Sequence, residues 1–171
     1  MPSARASRRI AAPVEEIWVV VSDPHHLPRW WPRVTRVEDV REGAFTEVMK
    51  TKKGKTVRAD YELVELDAAA RRVRWEQCIE GTPFAVALAS SETELRLEPV
   101  GTEAGSPSQG APATDVTIEL RQQLSGSHGV KGPRGGWSFG RSTPSWGARL
   151  VRKAAQATIE EALAGLERIS G

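Results

Sequence analysis

Ile10-Ala-Ala-Pro-Val-Glu-Glu-Ile-Trp-Val-Val-Val-Ser-Asp-Pro-His-His-Leu-Pro-Arg-Trp-Trp-Pro-Arg33 reads as the end of a strand that enters two short helices and closes on a tryptophan pair between prolines. Pro13 suits a first helical position, because its φ is already helical and its missing N–H would be unpaired there. Val14, Ile17, Trp18 and Val21 recur at helical spacing and form one apolar stripe. Asp23-Pro24 ends that helix, since the residue before a proline is pushed out of the α region. A second helical turn from Pro24 carries Leu27 and Trp30. Two short helices meeting at an angle, with a bulky apolar tip, suit a plug better than the packing face of a long helix.

Outward from this stretch the period changes. Ser3 to Ile10 is expected to be a first strand. After Arg33, Val34–Val40 is a candidate strand whose apolar residues sit three apart, which points to a bulge or a twisted edge. Phe45–Thr51 is a strand, and Lys52–Lys55 turns a hairpin around Gly54. Val57, Ala59, Tyr61 and Leu63 alternate with Arg58, Asp60 and Glu62, the pattern of an antiparallel strand with one wet face. Leu66–Arg71 reads as a turn. Val73, Trp75 and Ile79 alternate in the strand that follows. Gly81–Ser90 fits either a strand, through Phe84, Val86 and Leu88, or a helical turn with Thr82 as N-cap and Pro83 as first residue, and the turn is favoured. Thr93–Leu97 and Val116–Leu124 are further strands. Between and after them lie two segments rich in Gly, Ser and Pro, about residues 100–114 and 125–145, expected to be long mobile loops. From Thr143 or Pro144 to Ile169 the spacing predicts a long helix, with a stripe of Ala148, Val151, Ala155, Ile159, Ala162, Leu166 and Ile169.

The totals bound the partners. A chain of 171 residues is expected to form one domain with a real core. The balance of 24 basic and 22 acidic residues, net +2, gives no charge argument for nucleic acid or a membrane surface. Cys78 is the only cysteine, so an intrachain disulfide and a cysteine-rich metal site are both excluded. No run reaches the ~18 apolar residues of a spanning helix. The first residues lack the apolar segment of a signal peptide. The expected location is cytoplasmic, as a monomer or weak homodimer, with no integral membrane segment and no cofactor.

The order is strand, two short helices, about six antiparallel strands, long helix. A curved antiparallel sheet must bury one face, and the last helix is the only element long enough to cover it. The expected fold class is therefore α+β, with about seven strands wrapped around a long C-terminal helix. The alanine-rich stripe lets the sheet approach closely or leaves a space above it. On Ala12-Pro-Val-Glu-Glu-Ile-Trp18, Ser22-Asp-Pro24, Leu27-Pro-Arg-Trp-Trp-Pro32 and Val37-Glu38, together with Tyr61–Asp67 and Val73-Arg-Trp75, the chain resembles the polyketide cyclase/dehydrase and lipid-transport families of the SRPBCC (START-like) superfamily. The resemblance covers nearly the whole chain. It implies a helix-grip fold with a cavity for an apolar ligand, and carries over no catalytic residue, because the superfamily hosts carriers, receptors and enzymes alike.

Trp30 and Trp31 are candidates for the pocket mouth or, alternatively, for plugging the core. Tyr61, Trp75 and Gln77 are expected to face inward, with Gln122 on the last strand and Val151, Ala155 and Ile159 on the helix completing the lining. Tyr61 and Gln122 are the groups that would polarise a carbonyl in an enzyme. His25, His26 and His128 are read as surface residues, since no spacing brings three metal ligands together. Lys50, Lys52, Lys53, Lys55 and Arg58 form a solvated hairpin tip or meet an anionic head group. Arg149, Arg152 and Lys153 are expected to pair with acidic strand residues or, alternatively, to attract an anionic ligand at the pocket mouth, with pairing favoured. The functional expectation is a binding or carrier protein for a small hydrophobic molecule, such as a lipid, polyketide or isoprenoid-like compound, more a non-catalytic protein than an enzyme. The alternatives are a polyketide cyclase/dehydratase using the same cavity and a protein-interaction module presenting its loops. Few ionisable or hydroxyl groups are expected to converge inside, which favours binding.

Overall fold

The computed structural model describes residues 3–101, 110–126 and 145–171. His128, the Thr143 cap and most of the two Gly-rich segments lie outside the described residues. Strands β1 (Ser3–Ile10), β2 (Val34–Arg41), β3 (Ala44–Lys50), β4 (Thr56–Asp67), β5 (Arg72–Gln77), β6 (Leu88–Val100) and β7 (Ala113–Leu124) form one antiparallel sheet in the order β1-β7-β6-β5-β4-β3-β2. The sheet is open, with β1 and β2 at its edges. Helices α1 (Val14–Val21) and α2 (Leu27–Trp30) follow β1, and α3 (Ser145–Ser170) closes the chain.

The plug forms for the reasons its sequence suggests, with one shift. Pro13 is the N-cap of α1 rather than its first helical residue, with an extended ψ of 146°, and Glu15 and Glu16 occupy the first turn, where the helix dipole favours them. Val14, Ile17, Trp18 and Val21 are buried. The Asp23 carboxylate accepts from the His25 N–H at 3.0 Å and starts a 3-10 turn, Pro24–His26, that leads into α2. The entry to the plug is pinned by the buried Thr114 hydroxyl of β7, which donates to the Ala12 carbonyl at 2.8 Å. Leu27 and Trp30 face inward.

Alternation then decides the two faces of the sheet. Residues directly opposed in an antiparallel pair point to the same side. Phe45 is opposite Tyr61, and Tyr61 is opposite Gln77. Leu63 is opposite Trp75, Trp75 opposite Thr93, and Thr93 opposite Leu120. These two rows run across the concave side. On the convex side Arg121 reaches Glu92 at 2.7 Å and Glu119 at 2.9 Å, while Arg72 and Arg74 pair with Glu65. The outer face is thus a neutral ladder of ion pairs and needs no covering layer. The bulge expected in β2 is present, between Val34 and Arg36, and a second lies between Glu38 and Arg41. The turn expected at 66–71 starts later, because β4 continues to Asp67 after a bulge between Leu63 and Glu65. Thr82 caps a 3-10 turn at Pro83–Val86.

Helix α3 packs against β1, β7 and α2. Its second half carries the seal: Ile159, Ala162, Leu163 and Leu166 are all at most 2% exposed. Gly165 lets the plug dock. A Cβ there would lie 2.3 Å from the Trp30 carbonyl oxygen, a distance no side chain tolerates. Among the described residues Arg152 meets backbone rather than the acidic side chain expected of it. Its Nε donates to the Ser3 carbonyl oxygen at 3.2 Å, because the neighbour of that turn is the backbone of edge strand β1. No described helix is both long and apolar enough to cross a membrane.

Candidate functional site

The first half of α3 meets the sheet at edge strand β1, where Arg152 and Gln156 donate to the Ser3 and Arg5 carbonyls, and stands off the strands beyond it. Between them lies a cavity of about 350 Å³. Its roof is Val151, Ala154, Ala155 and Thr158, whose short side chains leave the space open. Its floor comes from five strands: Glu47 and Met49 of β3, Tyr61 of β4, Gln77 of β5, Leu88, Ser91 and Thr93 of β6, and Leu120 and Gln122 of β7. Trp31, Pro32 and Arg33 close one side and Phe84 and Ala87 of the 3-10 turn another. Arg33, Ala87 and Ala154 are exposed, so this rim faces solvent.

Six of the nine residues expected to line a ligand site are on this wall: Trp31, Tyr61, Gln77, Gln122, Val151 and Ala155. Trp30, Trp75 and Ile159 are not; they are core residues, 3%, 3% and 0% exposed. Trp30 is held beneath α3 by the Gly165 contact, and Ile159 lies just past the end of the cavity. Trp75 is enclosed by other rings. Trp30 meets Trp31 edge-on with centroids 5.3 Å apart, Trp31 meets Trp75 at 5.9 Å, Trp75 meets Phe45 at 6.4 Å, and Phe45 stacks on Tyr61 at 5.3 Å. This aromatic chain is the wall between plug and cavity, and Trp31 and Tyr61 are the members that face the space. The Trp30 Nε1 has no hydrogen-bond partner among the described residues, which fits a plugging rather than a recognising role.

Glu47 is the site residue that sequence reasoning missed. It is 1% exposed, and neither carboxyl oxygen has a hydrogen-bond partner among the described residues. The Tyr61 hydroxyl is near enough to interact with it while lying outside hydrogen-bond geometry. Burial pushes the Glu47 carboxyl up to about 8, and the Tyr61 interaction only partly offsets this. Burial and the neighbouring carboxyl also push the Tyr61 phenol well above its ordinary value. Glu47 is therefore mainly a neutral acid at pH 7, able to donate a proton or a hydrogen bond. The signal for it was in β3: Phe45 and Met49 flank Glu47 at period two, so all three share the inner face. Gln77 and Thr93 on the floor are buried as well. Gln122 Nε2 donates to Ser91 Oγ at 3.4 Å across β6 and β7.

The other candidates stay outside. Cys78 is exposed, and its thiol is pushed up by burial and by Glu62, Asp60 and Glu76, which makes it a poor nucleophile. His25 Nδ1 pairs with Asp23 at 2.8 Å on the surface. The lysines of the β3–β4 hairpin are exposed, and Arg58 pairs with Glu38 at 2.6 Å. Among the described residues no three His, Cys, Asp or Glu side chains are grouped to hold a metal.

The family described as polyketide cyclase/dehydrase and lipid transport matches residues 1–170. Among solved structures, the di-domain ARO/CYC BexL from the BE-7585A biosynthetic pathway is similar over 98% of this chain, at 21% identity and a TM-score of 0.71. This chain spans 46% of that protein, so the likeness is to part of it. A protein from Thermus thermophilus is similar at 26% identity and a TM-score of 0.65, covering 98% of this chain and 95% of its own. A START superfamily protein from Mycobacterium smegmatis is similar at 16% identity and a TM-score of 0.64, covering 98% and 96%. No curated protein matches the chain.

Proposed function

The chain belongs to the polyketide cyclase/dehydrase and lipid transport family, and from that premise we infer that it binds a small hydrophobic molecule in the space under the first half of α3. The observation that carries this reading is the cavity itself, about 350 Å³ between the sheet and a helix whose second half is sealed into the core. That volume is in the range of small-molecule sites, which run from ~300 to ~1,000 Å³ and set a few polar groups in an apolar lining. Trp31, Met49, Phe84, Leu88, Leu120 and Val151 supply apolar wall. Each ~40 Å² of apolar ligand surface taken from water contributes about 1 kcal/mol. Native mass spectrometry of protein purified from its own host tests this reading. A stoichiometric small-molecule adduct is expected, and it should be lost in Ala155→Phe, which fills the roof. A bare protein that also fails to bind naphthalene-sized probes would contradict it.

A second reading has a specific observation in its favour. Glu47 and Tyr61 place an acid and a hydroxyl together inside the cavity, so more polar chemistry converges there than the sequence suggested. In a cyclase/dehydratase-type enzyme, the Glu47 acid would protonate a hydroxyl that leaves as water, and the resulting carboxylate would take the proton from the adjacent carbon as the double bond forms, which restores the acid. Tyr61 would then steady the developing charge. A poly-β-carbonyl thioester incubated with the protein would be converted to a cyclised or dehydrated product, and Glu47→Gln would abolish that conversion. An unchanged thioester leaves the carrier reading standing alone.

A further inference from the structure

A buried acid in an apolar cavity is costly when neither of its oxygens is bonded. Nothing in the described chain relieves that cost for Glu47. Its cross-strand neighbours are Val37 on β2 and Ala59 on β4. Helix α3 faces the cavity with Val151, Ala154, Ala155 and Thr158, and β5, β6 and β7 face it with Gln77, Ser91, Thr93, Leu120 and Gln122. The other ionisable groups on the wall are Tyr61, on β4, and Arg33, which is exposed at the rim. No cation therefore meets the carboxyl from any element packed around it among the described residues. An ammonium ligand would have to be desolvated beside a carboxylate that is itself disfavoured there, a pairing whose desolvation cost is seldom recovered.

Resting on the reading of the cavity as a ligand site, we propose that the ligand is a neutral, carbonyl-bearing molecule whose carbonyl oxygen accepts a hydrogen bond from the Glu47 carboxylic acid. The geometry fits this chemistry. A carboxylic acid presents one O–H donor and one acceptor oxygen on the same edge. With Glu47 and Tyr61 lining the same cavity, one carboxyl oxygen can donate to a ligand oxygen while the other accepts from the Tyr61 hydroxyl. The floor carries further neutral polar groups, Gln77 and Thr93, and the Phe45–Tyr61 stack fixes the phenol from behind. Apolar contact supplies affinity in this arrangement, and the carboxyl selects which end of the ligand points inward.

The test uses three matched probes on the full chain: 2-acetylnaphthalene, 2-ethylnaphthalene and 1-(2-naphthyl)ethylamine. Binding is followed by isothermal calorimetry and by quenching of tryptophan fluorescence. At pH 6.5 the ketone is expected to bind about tenfold tighter than the hydrocarbon, the worth of one satisfied buried hydrogen bond. The amine is expected to bind most weakly. The ketone's advantage should shrink as pH rises through about 8, where the donor is lost. In Glu47→Leu the ketone and the hydrocarbon should bind alike. In Glu47→Gln, which keeps a donor of the same size, the ketone advantage should persist and its pH dependence should flatten. Equal affinities for ketone and hydrocarbon in the unaltered protein would overturn the proposal while leaving the cavity reading intact. So would a preference for the amine, or a ketone advantage that survives in Glu47→Leu. Failure of all three probes to bind would remove the cavity reading and this proposal together.

Discussion

From Ile159 to Leu166, helix α3 is sealed against the plug and the sheet, and its one glycine there touches the Trp30 backbone. From Val151 to Thr158 the same helix stands over an open space whose floor holds a carboxyl with no hydrogen-bond partner among the described residues. One helix thus has a packed half and a hollow half. The packed half supplies stability that the hollow half gives up, because uncovered apolar wall and a buried acid both cost free energy. The contrast separates residues that hold the container together from those that face its contents. Substitutions in the two halves should behave in opposite ways.

The largest effects of substitution on stability are expected in the packed half. Gly165→Val should lower the unfolding free energy by ~3 kcal/mol, because no backbone shift of a few tenths of an ångström clears a 2.3 Å contact with main chain. A lower denaturant midpoint at unchanged m-value would register it. A stability equal to that of the unaltered protein would mean that α2 is free to move off α3, and the division into halves would lose its anchor. Ile159→Ala, in the same half, should cost about 2–4 kcal/mol by leaving a void.

The hollow half should respond to pH. The folded-state value of Glu47, about 8, lies above the ordinary 4.5, so the folded chain holds a proton that the unfolded chain releases between those limits. Its contribution to stability is therefore fully present below the ordinary value and is lost as pH rises toward 8. The slope is up to ~1.4 kcal/mol per pH unit, after which it levels off. Thermal melts from pH 5 to 9 should show this fall, and Glu47→Gln should remove it. Asp115 and Glu38, held below their ordinary values first by their bonds to Arg9 and Arg36, act in the opposite sense and lose their contribution only in acid. An absent slope between pH 5 and 8 would mean that Glu47 is solvated or paired.

The smallest stability effect should come from filling the space. Ala155→Phe is expected to change the unfolding free energy by less than ~1 kcal/mol, since the ring enters an existing void. Loss of ligand binding with little loss of stability is the mark of the hollow half. A drop as large as that in Gly165→Val would show that the roof is packed after all.

The sequence carried most of this architecture and less of the site. Period-two alternation in β4 to β7 and the alanine stripe of α3 specify a half-buried sheet gripping a helix, since register is fixed wherever one face must be buried. Parity also placed Tyr61, Gln77 and Gln122 on the inner face. It tells which way a residue points and nothing about how far along the sheet the core ends and the cavity begins. That boundary is set by where α2 docks on Gly165, a contact between segments more than a hundred residues apart. Trp75 and Ile159 were expected at the wall and lie in the core for this reason, while Trp30 takes the plugging place that was its alternative. Glu47 was legible by parity between Phe45 and Met49. A lone carboxylate on an inward strand face runs against the expectation that charges stay wet, and such a local conflict is where function is to be sought.

The claim that the hollow half is a ligand site is tested most directly by calorimetric titration of the protein and of Ala155→Phe with 2-acetylnaphthalene at pH 6.5. The account predicts saturable 1:1 binding to the unaltered chain and none to the variant, with both melting at nearly the same temperature. Equal binding to both proteins, or no saturable binding to either, would contradict it.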